Sequence, residues 1–352
     1  MSRAARPRRE GRRSRHGVRV VPRVGPMTQP TPRLSPEQAE QAAGRAAAIV
    51  AAVEGFIQGK RETVELSLTC LLAQGHLLIE DVPGVGKTSL ARSLATALGM
   101  SWHRIQFTPD LLPSDVTGVS VFHQVSQTFE FHPGPIFASI VLADEINRAS
   151  PRTQSALLEV MEERTVTVDG ISHGVPQPFL VMATQNPIDS EGTFPLPEAQ
   201  LDRFLMSISI GYPDAAAEAR VLANAHDGVR IDALPHVGDP SDVLDLIDAA
   251  KSVFVDAAVI DYIISLVAAT RGAPGVRLGA SPRGSVGLMR AAQASALMAG
   301  RSYVVPADAQ RLAVPVLAHR LILDENEAVD STAAFRVRTD AIGAAVDTVP
   351  AP

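Results

Sequence analysis

Residues 76–99, HLLIEDVPGVGKTSLARSLATALG, decide the fold class of this 352-residue chain. The run 76–80 is short and apolar, as expected of a buried strand, and a glycine-rich loop at 81–86 follows it directly. Apolar residues then recur at helical spacing over 90–98, and Gly99 ends the predicted helix. A strand, a glycine-rich loop and a helix in this order are typical of an α/β domain that binds phosphate.

The loop predicts a binding site for the phosphates of a nucleotide. Its backbone N–H groups would form a nest at a helix N-terminus, where the helix dipole also favours an anion. Lys87 would reach the β- and γ-phosphates, and the Thr88 hydroxyl would bind Mg²⁺. The strict loop pattern has glycine where this chain has Asp81, at the strand exit farthest from the phosphates. The predicted phosphate-binding residues are Gly84, Val85, Gly86, Lys87, Thr88 and Ser89.

Two carboxylates, Asp144 and Glu145, follow a second apolar strand predicted at 140–143. Because ligand sites of α/β sheets lie at the carboxyl ends of the strands, these side chains are expected beside the loop. Asp144 would hold Mg²⁺, directly or through water, and Glu145 would polarise the water that attacks the γ-phosphate. Acids after a strand are common, but together with the loop they favour nucleotide hydrolysis over simple binding.

Three further polar residues are candidates for contacts with the γ-phosphate. Asn186 follows an apolar strand at 179–183, and its amide is suited to hold the phosphate or the attacking water. Alternatively, it caps its own turn before Pro187. Arg203 and Arg283 would stabilise charge that spreads over the γ-oxygens, although a surface position is the default interpretation of a single arginine.

The rest of the chain predicts two structural regions. Apolar strands separated by helices favour a mainly parallel five-stranded sheet covered on both faces, an αβα sandwich. Alternating segments at 119–131 and 165–176 predict two inserted β-hairpins, the second with a turn at Asp169-Gly170. Beyond Pro213 helical periodicity predicts an all-helical second domain. The predicted boundaries are 1–33 for a basic disordered tail, 34–212 for the α/β domain, 213–345 for the helical domain and 346–352 for a short tail.

Charge is distributed unevenly along the chain. Residues 1–26 hold nine arginines and one acid, so this segment carries +8 and, at a net charge of −6, the remainder carries −14. An acidic body argues against a broad surface for nucleic acid, although the tail is an alternative arm for nucleic acid or acidic lipid. Met27, directly after this segment, is an alternative start of the functional protein.

The composition also bears on redox chemistry, membranes and metals. The single cysteine, Cys70, lies in an apolar stretch and is interpreted as a small core residue rather than a reactive thiol. No apolar run approaches the roughly 20 residues of a membrane helix, and no apolar segment follows the basic N-terminus as in a secretory signal. The histidines show no spacing typical of metal ligands. A cytoplasmic protein without a membrane span is therefore expected.

The order of these segments resembles the MoxR family of AAA+ ATPases over residues 35–345. The resemblance rests on LIEDVPGVGKT at 78–88, QFTPDLLPSD at 106–115, ADEINRA at 143–149, ATQNP at 183–187 and PLPEAQLDRF at 195–204. It implies an AAA+ P-loop αβα sandwich with a helical lid, in a ring, usually hexameric, that binds ATP between neighbouring subunits. The hairpins at 119–131 and 165–176 then resemble the helix-2 insert and the pre-sensor hairpin of this branch. Ile57 and Gln58 resemble part of the adenine pocket.

The resemblance also implies roles for single residues. The glycine-rich loop is similar to a Walker A motif, and the carboxylate pair to Walker B. Asn186 resembles sensor 1, Arg203 the finger that reaches a neighbour's γ-phosphate, and Arg283 sensor 2. Arg148, in the Asn-Arg-Ala segment, is an alternative interface arginine.

These features predict an enzyme that hydrolyses ATP to ADP and phosphate with Mg²⁺. Members of the family act as chaperone-like ATPases on other proteins, often in metalloenzyme assembly and with a partner bearing a von Willebrand factor A domain. The resemblance therefore implies a homo-oligomeric ring with a protein client. The alternatives are a magnesium-chelatase-type subunit, a DNA motor of the same branch, and a scaffold that binds ATP without hydrolysing it. Glu145 argues against the scaffold, and the acidic body against the DNA motor.

Overall fold

The computed structural model describes residues 33–186, 192–324 and 331–352. Of the predicted tail at 1–33, only Arg33 belongs to these ranges, and Pro187 of the ATQNP segment also lies outside them. Residues Arg33–Pro352 form one structural unit, so the predicted boundary at 212–213 stays a prediction. Within the described ranges, no helix is both long and apolar enough to cross a membrane.

Short strands alternate with helices along the first two thirds of the chain. The strands are β1 (Leu77–Glu80), β2 (Trp102–Gln106), β3 (Gly118–His123), β4 (Thr128–Pro133), β5 (Ile140–Asp144), β6 (Thr165–Val168), β7 (Ile171–Gly174), β8 (Leu180–Gln185), β9 (Met206–Ile208), β10 (Val276–Leu278) and β11 (Ile322–Leu323).

Most helices begin at a capping residue or at a proline in the first turn, as their sequences require. Ser35, for example, accepts a hydrogen bond from the Gln38 N–H, and Pro36 follows it. The helices are α1 (Pro36–Glu54), α2 (Arg61–Leu72), α3 (Lys87–Ala97), α4 (Pro113–Thr117), α5 (Pro151–Glu163), α6 (Glu198–Leu201), α7 (Ala215–His226), α8 (Pro240–Lys251), α9 (Ala257–Ala269), α10 (Pro282–Met298), α11 (Pro306–Leu317) and α12 (Ser331–Thr348).

Five strands form the central sheet in the order β2-β5-β8-β1-β9, and all neighbouring pairs run parallel. Successive residues of β1 face opposite sides: Leu77 and Ile79 belong to one apolar cluster, and Leu78 belongs to the other. Both sides of the sheet are therefore covered, which explains why its central strands are apolar throughout. The predicted αβα sandwich is confirmed.

Both predicted β-hairpins are present outside this sheet. β3 pairs with β4, and β6 pairs with β7, in each case antiparallel. The second hairpin turns through Asp169 and Gly170, whose φ angles are 50° and 79°, as expected for an Asp-Gly turn. The Phe131 ring stacks on His173 with 4.0 Å between centroids, so the two hairpins contact each other.

The second region is helical, with two features that the periodicity did not reveal. β10 and β11 form a small antiparallel pair, too short for alternation to be visible in the sequence. Helix α12 reaches Thr348, past the predicted domain end at 345, because its buried face continues through Ala341, Ile342 and Ala345. Helices α8 to α12 share one apolar cluster with α1, α2 and α3.

Candidate functional site

A polar cavity of about 340 Å³ lies at the carboxyl ends of β1, β5 and β8. These three strands are adjacent in the sheet, so the polar residues that follow them converge at one edge. The residues that line the cavity are Pro83, Gly84, Gly86, Lys87, Thr88, Ser89, Arg104, Asp144, Glu145, Thr184 and Asn186.

The glycine-rich loop connects β1 to the N-terminus of α3. Gly84 and Gly86 have φ angles of 86° and 99°, a conformation that side chains other than glycine rarely adopt. A Cβ built on either residue would meet no other atom within 4 Å, so open space lies beside the loop. The loop therefore offers backbone N–H groups and a helix N-terminus to an anion.

Lys87, the first residue of α3, lies between the loop and the carboxylates. Its ammonium donates a hydrogen bond to the Asp81 carbonyl. Burial lowers the pKa of Lys87, whereas the nearby charges of Asp81, Asp144 and Glu145 act in the opposite direction and raise it. A cation therefore lies within electrostatic reach of both strand-end acids.

Asp81, the departure from the strict loop pattern, has a structural role. Its buried carboxylate accepts hydrogen bonds from Ser209 Oγ at 3.0 Å and from the N–H groups of Ile210 and Gly211, both at 2.7 Å. These residues follow the edge strand β9, so Asp81 fastens the start of the loop to the end of that strand. Glycine at this position could not make these bonds.

Asp144 ends β5 with both carboxylate oxygens hydrogen-bonded. Arg104 donates to Oδ2 from Nε at 3.0 Å and from Nη2 at 2.5 Å. The Thr184 hydroxyl, on the adjacent strand β8, donates to Oδ1 at 2.6 Å. The carboxylate is therefore fixed in orientation by two neighbouring strands.

Glu145 has a φ of 55°, which is uncommon for a residue other than glycine. Such conformations are found preferentially where function requires a side chain in a defined place. The Glu145 N–H donates to Thr184 Oγ1 at 2.9 Å, which stabilises this turn. Its Oε2 accepts from Gln106 Nε2 at 2.8 Å and from Arg148 Nη1 at 3.1 Å.

The donor set of the cavity fits a magnesium nucleotide. In proteins Mg²⁺ is commonly held by one or two side-chain oxygens together with phosphate oxygens and water. The Thr88 hydroxyl and the Asp144 carboxylate both line the cavity and supply such oxygens. Although Asp144 already accepts bonds from Arg104 and Thr184, a carboxylate has about four acceptor positions and can accept further partners.

The cavity gathers most, but not all, of the predicted nucleotide-binding residues. Asn186 lines it together with the loop and the carboxylates. Val85 packs against the apolar core instead of lining the cavity. Ile57 is buried in that core, and Gln58 accepts a hydrogen bond from Arg220 Nε of α7 at 2.9 Å. The adenine-binding role of Ile57 and Gln58 therefore stays a prediction.

Arg203 and Arg283 do not line this cavity; they meet at Glu162, near the end of α5. Arg203 Nη1 lies 3.0 Å from one Glu162 oxygen, and Arg283 Nη2 lies 2.5 Å from the other. We call Arg203 and Arg283 the arginine pair, and Glu162 is the acid that both of them contact. Arg148, by contrast, contacts Glu145 of its own chain, although Arg148 does not itself line the cavity.

A second ion pair connects the arginine pair to the helical region. Asp202, next to Arg203, accepts hydrogen bonds from Arg320 Nη1 and from Ser281 Oγ, the latter at 3.1 Å. Ser281 is the N-cap of α10, the helix on which Arg283 lies. Arg203 of the sheet region and Arg283 of the helical region are therefore held by linked contacts.

Among the residues that contact the predicted site residues, sequence reasoning missed Arg104, Gln106, Thr184 and Glu162. Arg104 and Gln106 lie at alternate positions of β2, where a charged and an amide side chain interrupt the pattern of a buried strand. That alternation is a signal that could have identified them. Glu162 carries no such signal, because acids are common on helices and α5 itself was not predicted.

Two protein-family models match the chain. The model described as the ATPase family associated with various cellular activities (AAA) matches residues 76–206, and the model described as the AAA lid domain matches residues 268–339. The first match runs from the start of β1 to the first residue of β9, and the second covers α10, α11 and the first half of α12.

Relatives with similar sequences cover most of the chain. The YeaC protein of Bacillus subtilis is 54% identical over 265 residues, 75% of this chain and 83% of the relative. Chaperone MoxR1 of Mycobacterium tuberculosis is 44% identical over 283 residues, 78% of this chain and 74% of the relative. The crystal structure of a candidate ATPase from Cytophaga hutchinsonii matches with a TM-score of 0.81 and 34% identity, over 90% of this chain and 97% of that one.

Proposed function

The chain belongs to the MoxR family of AAA+ ATPases, and on this basis we propose that it hydrolyses Mg-ATP in a homo-oligomeric ring to remodel or mature another protein. The observation that supports hydrolysis most directly is the convergence of Lys87, Asp144 and Glu145 on one cavity. A phosphate-binding loop alone would support binding, whereas a second carboxylate beyond the metal-binding position supports activation of water.

Each residue of the cavity has a distinct part in the proposed reaction. The loop N–H groups and Lys87 bind the β- and γ-phosphates, and Mg²⁺ held by Thr88 and Asp144 would supply neutralising charge. Glu145 polarises the water that attacks the γ-phosphate in line with the leaving oxygen. Asn186, which lines the same cavity, would hold that water or a γ-oxygen through its amide.

Glu145 is well positioned for this role because its carboxylate is oriented by two neighbours. Gln106 Nε2 and Arg148 Nη1 both donate to Oε2, which leaves Oε1 as the oxygen that can accept a proton from water. The turn at φ 55° and the N–H bond to Thr184 fix the backbone beneath it. An oriented base requires less reorganisation at the moment of reaction.

The position of the arginine pair supports a ring. Charge developing on the γ-phosphate is commonly stabilised by an arginine, and this chain's cavity contains neither Arg203 nor Arg283. If each subunit offers these arginines to the ATP of its neighbour, the site is complete only between subunits. A ring, hexameric as in the family resemblance, satisfies every subunit in this way.

The client is proposed from the relatives. Chaperone MoxR1 is described by its name as a chaperone, which supports a protein client for this chain, with or without a von Willebrand factor A partner. A magnesium-chelatase-type subunit differs from this proposal only in its client. A DNA motor is disfavoured by the charge of −14 outside residues 1–26.

Steady-state phosphate release tests the proposed activity. Purified chain is expected to release phosphate from ATP only when Mg²⁺ is present, and chelation of Mg²⁺ is expected to stop it. Glu145→Gln is expected to bind ATP with unchanged affinity while turnover falls roughly 10²–10⁴-fold. Turnover by Glu145→Gln equal to wild type would contradict the assigned base. Size-exclusion chromatography with light scattering, with and without ATP, tests the ring.

A further inference from the structure

One carboxylate serves both arginines of the arginine pair. Glu162 Oε2 lies 3.0 Å from Arg203 Nη1, and Glu162 Oε1 accepts a hydrogen bond from Arg283 Nη2 at 2.5 Å. The three residues come from α5, from the segment after α6 and from α10, so no local sequence relation accounts for the contact. Each oxygen of the acid is used for a different arginine.

The contact leaves N–H groups available on each guanidinium. Arg203 uses Nη1 for both Glu162 and the Leu158 carbonyl, to which it donates at 2.8 Å. Within the described part of the chain, Nε and Nη2 of Arg203 and Nε and Nη1 of Arg283 make no hydrogen bond. Nε–H and Nη2–H of Arg203 lie on one edge of the guanidinium and can bind two oxygens of a phosphate, whereas Nε–H and Nη1 of Arg283 lie on different sides and can each bind one.

One of the two cavities beside Glu162 is acidic, since Glu159 and Glu163 line it together with Arg203, whereas the charges of the other favour an anion. This second cavity, of about 230 Å³, is lined by five arginines and two acids. Asp202 pairs with Arg320, so Glu162 is the acid left to balance Arg203, Arg283, Arg164 and Arg290. The repulsion among these cations would separate Arg203 from Arg283 if the carboxylate were removed.

Solvent exposure places the arginine pair at a surface that another subunit can reach. The side chains of Arg203, Arg283 and Glu162 are 31%, 50% and 37% exposed. Their backbones are nevertheless anchored, because Asp202 joins Arg320 and the N-cap Ser281. The anchored backbones bring the arginines close together, and Glu162 sets the orientation of their guanidinium groups.

We infer that Glu162 is a positioning residue that holds Arg203 and Arg283 as a preassembled pair, with their remaining N–H groups directed to the γ-phosphate of a neighbouring subunit's ATP. This inference rests on the proposed function, since it needs an ATP-bound neighbour. Glu162 touches no reacting atom. It aligns two cations before the phosphate arrives, so their orientation does not have to be established during the reaction.

Glu162→Gln is the first test, with Glu163→Gln as the matched control. The control removes the same charge one residue away, and Glu163 makes no ion pair or hydrogen bond within the described part of the chain. Glu162→Gln is expected to lower kcat roughly tenfold or more, with the Kd for a fluorescent ATP analogue unchanged within about twofold. Glu162→Asp is expected to recover part of the loss, and the melting temperature of each variant is expected to stay within about 3 °C of wild type.

A mixed-ring experiment identifies the subunit in which Glu162 acts. Lys87→Ala subunits lack the nucleotide site but keep the arginine pair, and Arg203→Ala subunits keep the nucleotide site but lack Arg203. Mixing the two is expected to restore turnover, because each supplies what its neighbour lacks. Adding Glu162→Gln to the Lys87→Ala subunits is expected to reduce the restored turnover roughly tenfold, whereas adding it to the Arg203→Ala subunits is expected to change it by less than about twofold.

The outcomes separate this inference from the proposed function. If wild-type protein released no phosphate, or if mixing restored no turnover, the proposed ring ATPase would be wrong. If mixing restored turnover but Glu162→Gln reduced it equally in both subunits or in neither, the positioning role would be wrong. An equal fall of kcat in Glu163→Gln would likewise overturn it, because the effect would then follow surface charge alone.

Discussion

The nucleotide cavity and the arginine pair are both polar sites, but they are constructed differently. The cavity residues follow adjacent parallel strands, and their positions are fixed by the sheet itself. Arg203, Arg283 and Glu162 belong to separate elements joined by side-chain contacts at the surface. The residues of the cavity are therefore brought together within one chain, whereas the arginine pair lies at a surface that a neighbouring subunit can reach.

This difference predicts which step each site controls. Substitutions in the loop and at Lys87 should affect ATP binding, because these groups would contact the phosphates in ground state and transition state alike. Substitutions in the arginine pair should affect turnover and leave binding intact, because charge spreads over the γ-oxygens only as the reaction proceeds.

The largest effect is expected for Arg203→Ala. Loss of an arginine that stabilises the transferring phosphoryl group lowers kcat by roughly 10³-fold or more, while ATP binding to the loop is retained. Single-turnover phosphate release, together with the Kd of a fluorescent ATP analogue, separates the two quantities. Arg148→Ala is the comparison, since Arg148 contacts Glu145 of its own chain. Normal turnover by Arg203→Ala would remove the distinction between the two sites.

Asp81→Asn should lower the free energy of unfolding. The substitution tests how far the hydrogen bonds between the start of the loop and the end of β9 stabilise the protein. The substitution keeps the size of the side chain but removes the charged acceptor of three hydrogen bonds. The amide oxygen of asparagine can still face Ile210 and Gly211, but as a weaker, neutral acceptor, and its NH₂ group then faces the Val82 N–H, which donates to Asp81 Oδ1. This mismatch is expected to lower the free energy of unfolding by about 1–3 kcal/mol. Urea titration measures this loss. Asp261→Asn, on an exposed face of α9, is the control and should change stability by less than about 0.5 kcal/mol.

A smaller effect is expected from acid, through a buried histidine directly before β1 that lines the cavity beside the arginine pair. His76 accepts a hydrogen bond from the Val181 N–H on Nδ1 and donates from Nε2 to the Met161 carbonyl, each at 3.0 Å. It is therefore neutral, and burial, the main cause, lowers its pKa to about 4. In the unfolded chain the pKa of this histidine is near 6.5. Between pH 4 and pH 6.5 the unfolded chain therefore binds a proton here that the folded chain does not bind.

Stability should therefore fall as pH falls from about 6.5 towards 4, by up to about 1.4 kcal/mol per pH unit for this histidine. His319, whose pKa is lowered to about 3, mainly by burial, adds a loss in the same direction. Denaturant titrations at pH 7.0, 6.0 and 5.0 in wild type and His76→Gln measure the slope. The slope of the variant should be smaller, and equal slopes would show that His76 does not contribute.

The cavity could be predicted from the sequence because the residues that form it lie in short continuous segments. A strand, a loop with two glycines and a helix can be identified in one continuous segment, and Lys87 follows from that order. Asp144 and Glu145 required one further step, namely that parallel strands end at the same edge. The five-stranded sheet and both hairpins were predicted for the same reason, since strand periodicity and the Asp169-Gly170 turn are local signals.

The arginine pair could be predicted only in part. Arg203 and Arg283 were singled out, but their common partner Glu162 was not, because the three residues are brought together by tertiary packing. Asp81 was treated as a tolerable mismatch, although its partners lie more than a hundred positions further along the chain. Neither contact produces a periodic pattern or a motif in the sequence, so both can be identified only in the folded structure.

Calorimetric titration of Mg-ATP tests most directly that the loop and the strand-end carboxylates surround the same nucleotide. Glu145→Gln is the protein to titrate, since turnover does not interfere. This variant is expected to bind ATP saturably. Adding Lys87→Ala is expected to lower its affinity for ATP at least about 100-fold, and adding Asp144→Asn is expected to make the affinity independent of Mg²⁺. Absence of binding, or equal affinity with and without Lys87, would show that the cavity does not hold ATP.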